Sequence, residues 1–282
     1  MAAKRNRSKT EYPTVITATL DPTALGGPVK DLEARVHLYE STLRRYICET
    51  KMNPIIYIEN SGYPFDYDGF RALAAEHGKR IEFLTGSRPV EETKKHGKGY
   101  GDALLVQEAL EQSEEMKNQT FFYKVSGRLP IENIDKVYRT CRRHQNEFIS
   151  YDGIGWVMTW IFKMNKDDYW RLMRDVYQYC DDIRRRDMEI CYWLTLIHSD
   201  ADVGSFRTYP RMFGNIGETN QPYVDSRLEY VFRNVAAHLG VFTMKSLPSR
   251  LFWKLFMKLS KRKPYVTADD TLSGEAPANR ET

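Results

Sequence analysis

Short runs of apolar and β-branched residues alternate along the first half of the chain with longer segments of helical periodicity. The runs predict five strands, at residues 12–20, 54–60, 80–86, 121–125 and 147–152. Apolar positions spaced three and four apart predict the intervening helices, at residues 29–50, 68–77, 103–114 and 131–144. The charged segment 87–96 is expected to be a loop. This alternation predicts an α/β fold with a mainly parallel sheet and flanking helices.

Beyond residue 152 the hydrophobic pattern changes and predicts a helical C-terminal region. Residues 156–164 are aromatic and apolar, and residues 167–185 follow a helical pattern dense in Tyr and Arg. Residues 188–197 predict a buried helix, since they are apolar except for one carboxylate. A loop rich in Gly and Pro is expected at 209–218, followed by an amphipathic helix at 225–239.

The segment 247–263 predicts a further helix with a large apolar face and many cations. The apolar side chains on that face are Leu251, Phe252, Leu255, Phe256 and Leu259. The basic side chains elsewhere around the helix include Arg250, Lys254, Lys258 and Lys261. This pattern is typical of a helix that lies at a membrane surface, but it also fits a last core helix with a solvated basic edge. The sequence leaves both interpretations open.

Composition narrows the class of protein. The 282 residues are 41% hydrophobic and 28% charged, with a formal net charge of +4, as in a globular protein. That charge is too small to indicate a nucleic-acid-binding protein. The four cysteines show no C-x-x-C spacing, so no structural zinc is expected and the usage fits a reducing cytoplasm. No signal peptide or spanning segment is recognised.

These patterns divide the chain into four parts. We expect a disordered basic leader at 1–11, a single α/β domain at 12–240, an amphipathic basic helix and possible membrane-surface anchor at 241–266, and a disordered tail at 267–282.

Two segments offer hydrogen-bond donors and positive charge to an anion. Residues 98–101 form a glycine-containing turn before a predicted helix, and residues 124–128 follow a predicted strand. Backbone N–H groups at a helix start and side chains at the carboxyl end of a strand are common phosphate ligands. The predicted ligands are Lys98, Gly99, Tyr100, Gly101, Lys124, Ser126, Gly127 and Arg128. The alternative for each cation alone is a solvated strand end.

Two carboxylates are candidates for a general base, namely Asp152 at the end of the fifth predicted strand and Glu189 in the apolar helix. An unpaired buried carboxylate is costly, so Glu189 is the more unusual of the two. An ion pair between Glu189 and one of the arginines at 184–186 would also explain its position. Glu59 and Asn60 follow the second strand, where they could contact a ribose or base or could cap the next element.

The order of four short motifs resembles small bacterial glycosyltransferases of polysaccharide assembly, which are encoded with capsule, O-antigen or lipopolysaccharide genes. The motifs are Glu59-Asn60-Ser61, Lys98-Gly99-Tyr100-Gly101, Lys124-Val125-Ser126-Gly127-Arg128, and Tyr209-Pro210-Arg211 with Gly214 and Gly217. The resemblance covers residues 12–240. It implies a GT-A-like nucleotide-binding fold, with Tyr209, Arg211, Gly214 and Gly217 in a donor or acceptor loop.

The resemblance also implies a reaction and its partners. These enzymes transfer a sugar from a nucleotide-activated donor, here to a lipid-linked or membrane glycan at the cytoplasmic surface of the inner membrane. Many GT-A enzymes carry an Asp-x-Asp metal motif after the strand equivalent to 121–125, where this chain has Lys124 to Arg128 instead. We therefore expect no divalent metal cofactor. The alternative function is a non-catalytic membrane-surface protein that binds phosphorylated glycans or lipid head groups.

Overall fold

The computed structural model describes residues 11–215, 222–224 and 226–273. The strands in this part of the chain are β1 (Thr14–Ala18), β2 (Ile55–Glu59), β3 (Ile81–Thr85), β4 (Phe121–Ser126), β5 (Asn146–Glu147), β6 (Ser150–Tyr151), β7 (Trp156–Val157), β8 (Ile161–Asn165), β9 (Val203–Gly204), β10 (Phe213–Asn215) and β11 (Pro222–Val224). The helices are α1 (Leu32–Glu49), α2 (Tyr67–Glu76), α3 (Val90–His96), α4 (Lys98–Gln112), α5 (Ile134–Thr140), α6 (Lys166–Asp168), α7 (Met188–His198), α8 (Arg227–His238) and α9 (Leu247–Ser260).

A seven-stranded sheet in the order β3-β2-β1-β4-β8-β5-β9 forms the centre of the fold. The strands β3, β2, β1 and β4 are parallel, β8 is antiparallel to both β4 and β5, and β9 is parallel to β5. The predicted α/β fold class is confirmed, with a mainly parallel sheet, flanking helices and a helical C-terminal region.

Helices cover both faces of the sheet, which explains why its central strands are apolar along their whole length. Successive residues of a strand point to opposite faces, so Ile16 of β1 packs with α1 and α5 while Val15 packs with α4 and α7. All five residues of β1 and of β2 are buried. Because β1, β2 and β4 are parallel, their carboxyl ends lie at the same edge of the sheet. The helices cover the two faces of the sheet but leave this edge accessible.

Two stretches differ from the predicted elements near that edge. The segment 87–96, expected to be a loop, contains α3, which is followed by Gly97 and then directly by α4. The predicted fifth strand at 147–152 is divided, because β5 pairs within the large sheet whereas β6 turns away to pair with β7. The aromatic segment after it supplies β8, which is inserted between β4 and β5.

The single helix predicted over 167–185 is wrong. The chain instead forms α6, a π-helical turn at Tyr169–Met173 and a 3-10 turn at Val176–Tyr179. Asp175 and Arg185 adopt left-handed conformations, with φ of 60° and 57°, and residues in this conformation end a right-handed helix. The irregular segment places Asp181 and Asp182 in a loop beside α4 instead of on a helix.

The helix α9 combines features of both sequence interpretations. Trp253 and Ser249 are buried against the domain, and Phe256 packs partly on the core. On its outer side, Leu251 and Leu255 are 61% and 58% exposed. The helix is thus a packed element that also presents an apolar face to the surroundings.

Some predictions fall outside the structural description. Residues 1–10, Gly217, Asp225 and residues 274–282 lie beyond the described parts of the chain, so the proposed leader and most of the proposed tail stay predictions. Among the helices that are described, none has both the length and the apolar character needed to cross a membrane.

Candidate active site

Glu189 lies in the first turn of α7, where the capping carboxylate of Asp187 accepts a hydrogen bond from Ile190 N at 2.9 Å. The Glu189 side chain is partly exposed, and its Oε1 accepts a hydrogen bond from Thr159 Oγ1 at 2.8 Å. Burial of most of the carboxylate, together with the charge of Asp187, raises the pKa of Glu189 to about 7. This is the range in which a carboxylate can act as a base near neutral pH.

The interpretation of Glu189 as an ion-pair partner is not supported. Its described hydrogen bond is to Thr159, and Arg184 pairs instead with Asp181. Glu189 is therefore a carboxylate held by a neutral hydroxyl, which leaves its proton affinity high.

Asp187, two residues before Glu189, lies near a further acidic residue and a cation. The pKa of Asp187 is raised to about 6, first by burial and then by the charge of Asp182, while Lys98 acts in the opposite direction. Lys98 is exposed, on the first turn of α4. The cluster thus brings together predicted residues from the 98–101 turn and the predicted base.

Lys124 does not serve as an accessible cation at the strand end. It is completely buried, and its Nζ donates hydrogen bonds to Asp102 Oδ2 at 2.8 Å and to the Thr159 carbonyl at 3.0 Å. The physical reason is that Lys124 lies within β4 and points beneath α4, where a buried ammonium needs partners. Lys124 therefore positions Asp102 and Thr159, and through Thr159 it positions Glu189.

The predicted anion site at the start of α4 is occupied by a carboxylate of the chain itself. Gly99 N donates a hydrogen bond to Asp182 Oδ2 at 3.0 Å. A Cβ built on Gly97 would lie 2.6 Å from an Asp182 atom, and one built on Gly99 would lie 2.5 Å away. The Asp182 side chain therefore packs closely against both glycines, where a larger residue would not fit. Tyr100 stacks on His96 at 5.7 Å between ring centroids, and Gly101 is buried. The helix start contributes to the cluster by holding Asp182.

Glu59 organises the ends of β1 and β2 from within. Its side chain is 1% exposed, and it accepts hydrogen bonds from Leu20 N at 3.0 Å, Ser61 N at 2.8 Å and Gly62 N at 2.8 Å. Asn60 Oδ1 accepts a hydrogen bond from Thr19 at 2.8 Å. Of the two sequence interpretations, these contacts favour a role in shaping the backbone over direct contact with a nucleotide.

Arg128 is the accessible cation at the end of β4. Within the described residues it makes neither a hydrogen bond nor a salt bridge, and its Nε is buried without a partner. Gly127 is pressed against Tyr39, since a Cβ there would lie 3.0 Å from both a ring carbon and the Thr17 carbonyl. Ser126 N donates to the Trp160 carbonyl at 3.0 Å, which joins this strand end to the segment carrying Thr159.

Asp152, the other predicted base, is a structural link. Its Oδ1 accepts hydrogen bonds from Ser150 Oγ and from Trp193 Nε1, the latter at 3.3 Å. Its Oδ2 accepts from Lys245 N at 2.9 Å and from Ser249 Oγ at 3.0 Å. Both oxygens of Asp152 are thus engaged by donors, and the side chain joins β6, α7 and the start of α9.

The predicted donor or acceptor loop at 209–217 contributes core residues where it is described. Tyr209 is completely buried, and its hydroxyl lies 2.8 Å from that of Tyr151. Arg211 pairs with Glu132 at 2.8 Å, and Gly214 belongs to β10. The exposed loop expected from the Gly and Pro content is therefore replaced here by packing against the segment after β4.

Sequence reasoning missed Asp102, Thr159, Asp182 and Asp187. Asp102 adjoins the predicted turn, and the position of Asp187 before an apolar helix is a capping signal that could have been used. Thr159 and Asp182 gave no sequence signal, because their contacts join segments far apart in the chain. In the described part of the chain, no group of three or more His, Cys, Asp and Glu side chains has the spacing of a metal site.

No protein-family model and no curated protein matches the sequence. Among solved structures, the glycosyltransferase GlyE of Streptococcus pneumoniae TIGR4 is 9% identical over 70% of this chain and 45% of its own, with a TM-score of 0.44. A putative nucleotide-diphospho-sugar transferase from Desulfovibrio desulfuricans G20 is 13% identical over 69% of this chain and 79% of its own, with a TM-score of 0.42.

A cytidylyltransferase from Leptospira borgpetersenii serovar Hardjo-bovis covers 90% of this chain and 96% of its own, at 10% identity and a TM-score of 0.39. The chain thus spans less than half of the GlyE chain and nearly all of the cytidylyltransferase. These likenesses are too distant to assign an activity, so the function has to be inferred from the site.

The structural role of Asp152 predicts a loss of stability in Asp152→Ala. The substitution leaves up to four donors without their acceptor, and we expect the free energy of unfolding to fall by about 2 kcal/mol or more. Denaturant unfolding followed by tryptophan fluorescence measures this. Asp68→Ala removes an exposed carboxylate that pairs only with Arg71 on α2, and it should change the value by less than about 0.5 kcal/mol. Equal stabilities of the two variants would contradict the structural role.

Proposed function

We propose that this protein is a glycosyltransferase that moves a sugar from a nucleotide-activated donor to a membrane-linked glycan acceptor in bacterial surface polysaccharide synthesis. The observation that carries the proposal is Glu189, a partly exposed carboxylate with a pKa near 7, which Thr159 holds near the carboxyl end of β4. Arg128, whose Nε has no described partner, follows the same strand. In open α/β sheets the carboxyl ends of the strands are where nucleotide ligands bind.

Glu189 would act as the general base for transfer with inversion. Its carboxylate takes the proton of an acceptor hydroxyl, the hydroxyl oxygen forms a bond to the anomeric carbon, and the bond from that carbon to the donor phosphate breaks. The electron pair of the broken bond stays on the leaving nucleotide phosphate. Thr159 supports this role because its hydrogen bond fixes the orientation of Glu189. Burial and the neighbouring charge of Asp187 support it because they raise the pKa of Glu189.

Arg128 is the residue we assign to the donor phosphates. Its guanidinium offers a planar set of donors that matches phosphate oxygens, and in the described structure none of them is used. Lys98, exposed on the first turn of α4, supplies a second positive charge beside the carboxylate cluster. These cations would stabilise the charge that develops on the leaving group, a task that a metal ion performs in other transferases.

The membrane-linked acceptor and the location at the cytoplasmic face of the inner membrane rest on α9. A helix with exposed leucines and a row of cations is suited to the boundary between lipid head groups and acyl chains. A non-catalytic protein that binds phosphorylated glycans at the same surface is the alternative, and it would release no nucleotide from a sugar donor.

We predict that Glu189→Gln lowers the rate of sugar transfer on the order of 10²–10⁴-fold, because the amide cannot accept the hydroxyl proton. In the wild type, kcat/KM should fall as pH decreases below about 7, since protonation removes the base. Nucleotide release from sugar donors measures both effects. Glu76→Gln, on the exposed side of α2, is the matched control and should behave as the wild type. Full activity of Glu189→Gln would refute the assignment.

We predict that Arg128→Gln lowers kcat/KM for the donor on the order of 10- to 100-fold, as expected when one charged hydrogen-bond donor to a phosphate is lost. The thermal stabilisation produced by a nucleoside diphosphate should weaken in parallel. Arg139→Gln removes an exposed arginine on α5 and serves as the control. If both variants bind the nucleotide equally well, Arg128 is not a phosphate ligand.

We predict that transfer continues in excess chelator, because residues 124–128 lack the acidic pair that many transferases carry at this position. The measurement is the initial rate with and without chelator, followed by addition of Mg²⁺ or Mn²⁺. A complete loss of activity that is restored by a divalent ion would show that the reaction depends on a metal.

A further inference from the structure

A cavity of about 430 Å³ lies between α9, the turn after β6 and the segment that follows α9. Three cations line it, namely Arg250 and Lys254 on α9 and Arg262 beyond its end. All three are exposed, and in the described residues none of their charged groups forms a hydrogen bond or salt bridge. The cavity thus gathers positive charge that the protein itself does not neutralise.

The carboxylate on the wall of the cavity does not balance these cations. Asp152 is the lining acid, but its oxygens accept hydrogen bonds from four donors, which include Ser249 Oγ on α9 and Lys245 N just before it. Those bonds hold α9 against the domain and spread the charge of Asp152 over its donors. The lining keeps an excess of positive charge.

Trp253 also lines the cavity, and its indole N–H group has no acceptor among the described residues. Its side chain is 7% exposed, and the indole Nε1 is buried. A buried N–H group without an acceptor is costly, and an oxygen atom of a bound ligand would satisfy it. Because Gly153 has no side chain, α9 packs closely there, as a Cβ would lie 2.7 Å from Trp253.

The apolar face of α9 adjoins the cavity cations. Leu251, Leu255 and Leu259 are 61%, 58% and 73% exposed. Arg250 and Lys254, which line the cavity, lie four residues apart on one side of the helix, next to the row of leucines. A ligand with a phosphate and an attached hydrocarbon chain would find complementary groups in both sets of side chains.

We propose that this cavity binds the phosphate of an anionic lipid head group, with the acyl chains lying on the exposed leucines of α9. The phosphate oxygens would accept hydrogen bonds from Arg250, Lys254 and Arg262, and Trp253 would donate a further one. Charge complementarity selects an anionic lipid, and the adjoining apolar face selects a lipid over a soluble phosphate ester. The site lies outside the Glu189 cluster, so the proposal stands whether or not the protein transfers sugars.

Vesicle binding with two charge-matched triple variants tests the proposal. One variant replaces the cavity cations (Arg250→Gln, Lys254→Gln, Arg262→Gln), and the other replaces cations of the same segment that do not line the cavity (Lys258→Gln, Lys261→Gln, Lys263→Gln). Both lose three positive charges. We measure co-sedimentation of each full-length protein with phosphatidylcholine vesicles that contain phosphatidylglycerol, and thermal unfolding confirms that each variant is folded.

Both variants should bind the vesicles more weakly, because each loses three positive charges. If the cavity holds the phosphate, the affinity of the cavity variant for the vesicles should fall at least about ten-fold further than that of the other variant. Equal losses would overturn the proposal, since they would show a diffuse attraction between charges. Glycerol phosphate, which has the phosphate but no acyl chain, identifies the ligand class. Thermal stabilisation by glycerol phosphate without vesicle binding would overturn the assignment to a lipid.

Discussion

The buried ammonium of Lys124 constrains the arrangement of the whole site. An unpaired ammonium inside a protein costs several kcal/mol, so β4 can take its place in the sheet only if Asp102 and the Thr159 carbonyl are also in place. These two partners belong to α4 and to the segment before β8. Because the hydroxyl of Thr159 in turn holds Glu189 of α7, one buried charge fixes four elements relative to one another. The position of Glu189, the proposed base, therefore depends on the ion pair between Lys124 and Asp102.

The chain supplies carboxylates to most of the anion-binding positions that its own backbone creates. Asp182 lies on the start of α4, and Glu59 binds the backbone N–H groups at the ends of β1 and β2. Each carboxylate satisfies donors that would otherwise need water or a ligand. A phosphate that enters this edge must therefore use groups the chain leaves open, and among the described residues Arg128 is the clearest of these. Under the proposed function, the acidic residues would direct a donor phosphate to Arg128 because they occupy the other positions.

The sequence predicted elements well where one periodicity dominates. The strands β1 to β4 and the helix α7 were found because each is rich in apolar or β-branched residues and is bounded by polar residues or glycine. The prediction of one helix over 167–185 was wrong because a helical spacing of aromatic side chains also fits short turns that pack on a core. The positive φ at Asp175 cannot be predicted from that spacing. Glu189 was predictable as the lone carboxylate of an apolar helix. Its partner Thr159 was not, because that contact depends on how β8 inserts into the sheet.

The two sites argued for this protein are mechanically connected through α7. Asp152, on the wall of the cationic cavity, accepts a hydrogen bond from Trp193, which lies four residues after Glu189 on α7. Four residues span about one helical turn, or ~6 Å along the helix axis. The same carboxylate also fixes α9 through Ser249. A glycan acceptor whose lipid phosphate is held at the cavity would therefore meet Glu189 in a fixed geometry, because one short segment of helix sets the separation between the membrane contact and the proposed base.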